Sequence, residues 1–574
     1  MKKKTTTFLA FLISFLVSGQ QKPNPVFLEN KTYTYNQLII EYKKLDALSE
    51  QMKLFEYGQT DGGFPIHLMV INRNKNFNKP VSSEKGQTVL LIMNGIHPGE
   101  SEGIDASLFL AQEMAYGRTE IPENVTICII PVYNVDGMLN RKKYTRTNQN
   151  GPEEKGFRGN ACNYDLNRDF IKADTRNTFA FYQIYHYWNP DVFLDNHTSN
   201  GADYQYTMTL ICTQQQKLGG KTAELLHKNM KPFLYADMQK KYWEMAPYVN
   251  VYGKSPDEEG YEEFIETPKF STGYTSLFGT IGFVAETHML KPYPNRVFAT
   301  IEFMRTLIDY TKTHVTEIRQ ARMSDQTIYQ TKRTYESNYV VDKSAPSKLK
   351  FKGFEAEKIK SSLGNYERTL YNRNKPFTRE INYFNFFKPA LEVALPKAYI
   401  IPQSWIRVIE RLKANNITMQ RFERDSTITL GVKYITKYES NAKPYEGHHV
   451  NSKIGVERKS MPLKILKGDY LVYTNQTGNR YLAEALEPQT EDGFFAWNFF
   501  DPILNAKEGF SDYVFEDDAV KLLEENVELR KRFEDWKFAN PDKVNSSYEV
   551  LNFIFVNSYF YETEHKRVPV YRLE

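Results

Sequence analysis

Val89-Leu90-Leu91-Ile92-Met93, followed at once by Asn94-Gly95-Ile96-His97-Pro98-Gly99-Glu100, is the stretch on which the reading of the fold turns. An unbroken apolar run of this length, ending in glycine, proline and polar residues, reads as a strand buried on both faces. A helical pattern follows, with Ile104, Leu108, Ala111 and Ala115 on one face and Gly117 as its stop. The same grammar recurs along the chain. Residues 125–132, 191–194 and 281–285 read as further buried strands that end in polar residues, and Phe298, Ile301 and Ile308 mark another amphipathic helix after Asn295. Alternation of this kind predicts an α/β fold with a mixed, largely parallel central sheet flanked by helices. Ligands in such sheets bind beyond the carboxyl ends of the strands, which is where the polar clusters fall.

This pattern sets the expected organisation: residues 20–320 as one α/β unit, 321–345 as a helical linker, and 346–574 as an accessory α+β region. In that last region Ile428, Leu430, Val432 and Tyr434 alternate with Thr427, Thr429, Gly431 and Lys433, as in a half-buried strand. Trp405, Val408, Ile409 and Leu412 mark a helix behind Ser404, and residues 517–536 read as one long charged amphipathic helix. The aromatic run from Phe494 through Trp497 to Phe500 reads first as core packing.

Composition narrows the function classes. The chain has 574 residues, of which 41% are hydrophobic and 14% aromatic, values that suit several packed domains and exclude a long disordered protein. Lys and Arg number 74 against 70 Asp and Glu, and a net charge of +4 on a chain this long gives no reason to expect a nucleic-acid partner. Three cysteines, Cys128, Cys162 and Cys212, exclude a four-thiolate zinc site. The N-terminus pairs Lys2, Lys3 and Lys4 with a short apolar run from Phe8 to Val17 and small residues at Ser18 and Gly19, the plan of a secretory signal over residues 1–19. That run is too short to span a bilayer. The expected location is therefore periplasmic or extracellular, with no stable membrane span.

His97 and Glu100 on a turn after a buried strand can offer one nitrogen and one or two oxygens to a borderline-soft cation. His197, in Asp195-Asn196-His197, follows another buried strand and offers a second imidazole. Taken alone, His-x-x-Glu reads equally well as a salt-bridged pair on the surface. The context is supplied by Arg158-Gly159-Asn160, by Asp165-Leu166-Asn167-Arg168-Asp169 and by Phe283-Val284-Ala285-Glu286-Thr287. In this order the residues resemble the zinc carboxypeptidase family, the carboxypeptidase A/B and E/D-like metallocarboxypeptidases, over slightly more than half of the chain.

The resemblance implies one Zn²⁺ per chain on His97, Glu100 and His197, with Glu286 as general base. It implies Arg158, with Arg146 as fallback, as the cation that stabilises the oxyanion, and Asn167 and Arg168 as the grip on a terminal carboxylate. Asp165 becomes the carboxylate that orients the first histidine, and a tyrosine between His197 and Glu286 is expected to close over the substrate, Tyr274 being preferred to Tyr261. The expected reaction is hydrolysis of C-terminal peptide bonds in peptides or proteins. The alternatives are a zinc amidase acting on cell-wall stem peptides or acylated amino acids, and a non-catalytic peptide- or glycan-binding protein. Asp257, Glu258, Glu259, Glu262 and Glu263 are read as a solvated loop rather than a pocket for a basic residue, His288 as a packed polar residue, and His448-His449 as a surface pair.

Overall fold

The computed structural model describes residues 25–77, 86–257 and 259–574; the expected signal segment, residues 1–19, and Glu258 lie outside the described residues. In the first half the strands are β1 (Met52–Tyr57), β2 (Ile66–Ile71), β3 (Thr88–Asn94), β4 (Val125–Ile130), β5 (Val192–Ser199), β6 (Met208–Cys212), β7 (Met245–Pro247), β8 (Tyr261–Glu262) and β9 (Ile281–His288). Eight of them form one sheet in the order β1-β2-β4-β3-β5-β9-β6-β7. The centre, β4-β3-β5-β9, is parallel throughout, while β2 joins β4 and β6 joins β9 in antiparallel pairs. This is the mixed, largely parallel sheet expected.

The apolar runs are continuous because the central strands are covered on both faces. In β3, Leu90 and Ile92 join the cluster that contains the helices Tyr35–Leu48, Glu102–Ala115 and Tyr293–Thr313. Val89, Leu91 and Met93 point to the other side, into a cluster with helix Arg176–Trp188. That second cluster does not end at the first half: it runs on through Tyr399, Ile409, Leu482 and Trp497. The C-terminal half is thus packed onto the sheet as its second cover.

That half holds a six-stranded sheet, whose longest members are the paired strands Ser426–Ser440 and Asn451–Ile465, and a three-stranded sheet in which Glu367–Phe384 pairs in parallel with β8. Two local expectations change. The stretch read as a helical linker, 321–345, continues a helix to Thr331 and then enters a strand, Thr334–Val341, which pairs with Phe387–Ala394. The charged stretch 517–536 is two helices, Asp512–Glu525 and Val527–Ala539, because Asn526 leaves helical geometry and its side chain accepts a hydrogen bond from the Leu529 amide, capping the second. Phe494, Phe495, Trp497, Phe499 and Phe500 are buried, as core packing requires.

Leu482 is fully buried in the cluster that both halves share. Leu482→Ala is expected to cost about 2–5 kcal/mol and to lower the midpoint of a single unfolding transition; chemical denaturation followed by tryptophan fluorescence and by far-UV circular dichroism should give coincident curves.

Candidate metal centre and substrate cleft

The carboxyl ends of three adjacent parallel strands build the site. Past the end of β3 the chain reverses through Gly95, which adopts the left-handed φ of +63° and where a Cβ would press on Ile104 and Val132 at 3.0 Å. A Cβ on Gly99 would meet the Arg146 side chain at 2.7 Å and the Gly156 carbonyl at 2.8 Å. These glycines let the turn lie close enough to its neighbours to carry His97 and Glu100 inward. On β5 and β9, His197 and Glu286 are register partners, so both side chains leave the sheet on the same face at the same height.

His97, Glu100 and His197 are buried, and each offers a ligand atom within 4.8 Å of the other two. Among the described residues this is the one His/Cys/Asp/Glu group so arranged. Both imidazoles present Nδ1 to Glu100: His97 Nδ1 is 3.3 Å from Oε1, and His197 Nδ1 is 3.0 Å from Oε2. Each ring has its other nitrogen on an aspartate, His97 Nε2 at 2.9 Å from Asp165 and His197 Nε2 at 3.0 Å from Asp195. His97 Nδ1, His197 Nε2 and Glu286 Oε2 are buried with no hydrogen-bond partner among the described residues, so Asp195 stands beside His197 Nε2 without a well-aligned hydrogen bond to it. Two imidazole nitrogens and a carboxylate with a buried, unsatisfied face are the donor set that suits zinc.

Burial alone would raise the Glu100 carboxyl, but Arg146, His97 and His197 hold it well below the usual carboxylate range. Arg146 Nη2 donates to Glu100 Oε1 at 2.5 Å, and the Thr198 amide donates to Oε2 at 2.9 Å. Asp165 is likewise held low against its burial by His97, Arg158 and Arg168. Glu286 goes the other way: burial pushes it up to about 8, the negative charges of Glu100, Glu266 and Asp195 add to this, and His197 opposes it. A carboxyl with that affinity can take up and give back a proton near neutrality.

His97, Glu100, Arg146, His197 and Glu286 line a cavity of about 230 Å³ together with Arg158, Asn167, Arg168, Tyr248, Tyr252 and Phe270. Arg158 is tied to Asp165, with Nε 2.9 Å from Oδ2, and lies 3.8 Å from Glu100. Asn167 Oδ1 accepts from the Ser271 amide, and Ser271 Oγ donates to Asp195, so the Asn167 side chain and the support of His197 belong to one chain of hydrogen bonds. Arg168 lies with its guanidinium 4.5 Å above the Phe270 ring.

Among the expected site residues, Tyr274 is the one that the structure places elsewhere. It is fully buried away from the cavity, stacked on Tyr182, with its hydroxyl donating to Asn415 at 2.5 Å. Tyr261 is buried too and donates to the Pro247 carbonyl. Tyr248 and Tyr252 line the cavity instead, Tyr252 donating to Asn200. Burial and the charge of Glu286 push the Tyr248 hydroxyl up, so it stays protonated and able to donate. Spacing could not have picked them out, because tyrosines are numerous between His197 and Glu286. Asp195 was also missed, although its place two residues before His197 on a strand, hence on the same face, was a legible signal. In the acidic segment, Glu263 is buried against Lys231 and Tyr383, and Glu262 pairs with Lys343. His288 is packed under Tyr204, and His448 pairs with Asp174.

An α/β sheet with a buried His-Glu-His set beside a carboxyl of raised proton affinity and an arginine-lined cavity suits a metal-dependent hydrolase. Residues 41–263 match the family model described as zinc carboxypeptidase, and this match supports a zinc metallocarboxypeptidase. The matched stretch ends before Glu286, whose place is given by the register of β9 on β5. Among curated relatives, carboxypeptidase 2 of Trichophyton tonsurans is 20% identical over 469 residues, covering 79% of each chain, and that of Trichophyton rubrum is 20% identical over the same length, covering 79% of this chain and 81% of its own. Among solved structures, a metallo-carboxypeptidase from Burkholderia cenocepacia is 17% identical with a TM-score of 0.37, over 49% of this chain and 70% of its own.

Asp195→Asn keeps shape but removes the charge behind His197. It should weaken zinc binding by about 10- to 100-fold, measured by competition with a chromogenic chelator.

Proposed function

We propose that this chain is an exported carboxypeptidase that removes residues from the C-termini of peptides or proteins, with His97, Glu100 and His197 as zinc ligands and Glu286 as general base. The observation that carries the reading is the convergence of the His-Glu-His set with Glu286, a register neighbour of His197 and a carboxyl held near neutrality. The basic and apolar N-terminal segment supports export.

Bound by that set, zinc supplies a Lewis acid that acidifies water and polarises a carbonyl. The rest of the work falls to the chain. Asp165 and Asp195 hold the imidazoles so that both Nδ1 atoms face one point. Glu286 Oε2, lacking any protein partner among the described residues, accepts a proton from the attacking water and returns it to the departing amine. Arg158, with Arg146 beside it, places fixed positive charge where the scissile carbonyl oxygen becomes an oxyanion. Asn167 and Arg168 bind the terminal carboxylate, a shape that a guanidinium fork matches. Tyr248 and Tyr252 take the place expected for Tyr274 at the cavity wall.

Glu286→Gln should keep zinc and substrate affinity while kcat falls by about a thousandfold or more, and dialysis against a chelator should abolish hydrolysis that added zinc restores. Steady-state kinetics with a blocked dipeptide would disqualify Glu286 as the base if turnover stayed near normal. Arg168→Ala should erode the preference for a free over an amidated C-terminus, read as the ratio of kcat/KM on the paired substrates; an unchanged ratio would mean that another group anchors the carboxylate.

A further inference from the structure

The strands Ser426–Ser440 and Asn451–Ile465 of the C-terminal half are joined by a loop that bends back on itself at Tyr445-Glu446-Gly447-His448. Tyr445 and His448 exchange backbone hydrogen bonds of 2.8 and 3.0 Å, and both residues between them have positive φ, +48° at Glu446 and +79° at Gly447. This is the mirror-image type of tight turn. Left-handed backbone is uncommon for a glutamate, and here contacts with the catalytic half hold it. Glu446 Oε2 accepts from the Asp165 amide at 2.8 Å, His448 Nε2 lies 2.6 Å from Asp174 Oδ2, and a Cβ on Gly447 would press on the Tyr164 hydroxyl at 3.0 Å. From below, Trp497 supports the turn, with the Tyr445 ring stacked on it at 6.2 Å and the His448 ring edge-on at 5.5 Å.

The turn delivers one hydroxyl to Arg168, a residue of the cavity wall. Arg168 Nε donates to Tyr445 Oη at 2.8 Å, and Nη1 donates to the Asn167 carbonyl at 2.7 Å. With the ring of Phe270 beneath it, the guanidinium is held by one edge and one face. An arginine on a long free stem would lose much rotamer entropy on gripping a ligand; one fixed beforehand loses less. The packing of Tyr445 is met by its ring on Trp497, so the hydroxyl is a separable feature.

We infer that Tyr445 is a positioning residue for Arg168, and that the C-terminal half thereby completes the site that selects substrates with a free terminal carboxylate. This rests on the reading of Asn167 and Arg168 given above. The same turn also touches the Asp165 backbone through Glu446, so one short segment of the accessory half braces both the carboxylate grip and the support of His97.

The test uses the full chain, zinc-loaded and carrying Glu286→Gln so that ligand is not consumed, and calorimetry of an N-blocked dipeptide as free acid and as amide. The parent should prefer the acid. Adding Tyr445→Phe should weaken acid binding about five- to tenfold and leave amide binding and the melting temperature unchanged. In the active chain the same substitution should raise KM for the acid by that factor with kcat within about twofold. On an Arg168→Ala background it should have no further effect, as two groups acting through one contact require. Unaltered acid binding in Tyr445→Phe, in a protein where Arg168→Ala does impair it, overturns the positioning role alone, as does equal weakening of acid and amide. A parent without preference for the acid overturns it together with the reading of Asn167 and Arg168.

Discussion

Each imidazole of the metal set has one ring nitrogen beside an aspartate, hydrogen-bonded at His97 and in charge contact at His197, and the rest of the site depends on that pairing. Asp165 behind His97 and Asp195 behind His197 settle which way the rings face, so that both Nδ1 atoms turn toward Glu100. A carboxylate buried without partners is costly, and this site holds several. They are tolerated because cations are interleaved with them, Arg146 on Glu100 and Arg158 and Arg168 near Asp165, with the two imidazole rings between. Glu286 is the exception, surrounded by more negative than positive charge, and it is the carboxyl with a raised proton affinity. The same crowding of carboxylates that suits the centre to a cation raises the proton affinity of its neighbour.

The C-terminal half cannot be described as an appendage. Its apolar residues extend the cluster under the sheet, and its polar contacts fall on the segments that carry Asn167 and Arg168. The Lys269 amide, next to Phe270, donates to Asp492 at 3.0 Å, Arg411 donates to the carbonyl of Ala173, and the Tyr445 turn meets Asp165 and Arg168. Loops that supply binding residues need a rigid backing, and in this chain much of the backing for residues 165–174 comes from beyond residue 400.

The strands around His97, His197 and Glu286 were legible because a strand covered on both faces leaves an uninterrupted apolar run, and the polar residues that end it announce a site. Helix ends were less legible: the charged stretch 517–536 keeps one amphipathic pattern across Asn526, and only the cap at Leu529 reveals the break. Tyr274 misled for a related reason. A buried tyrosine donating to Asn415 and a cavity tyrosine such as Tyr248 are the same residue type, and the distinction lies in what packs around each.

The chain by itself determined the alternation of strand and helix, the chemical types available for a zinc site and the order in which they occur, since those follow from local periodicity and from side-chain chemistry. Only the tertiary structure decided that β5 lies between β3 and β9, that Asp195 stands behind His197, and that Tyr445 reaches Arg168. Strand order, register and the meeting of residues hundreds of positions apart are set by how covered faces pack against one another, and no local pattern encodes which surface a given face will meet.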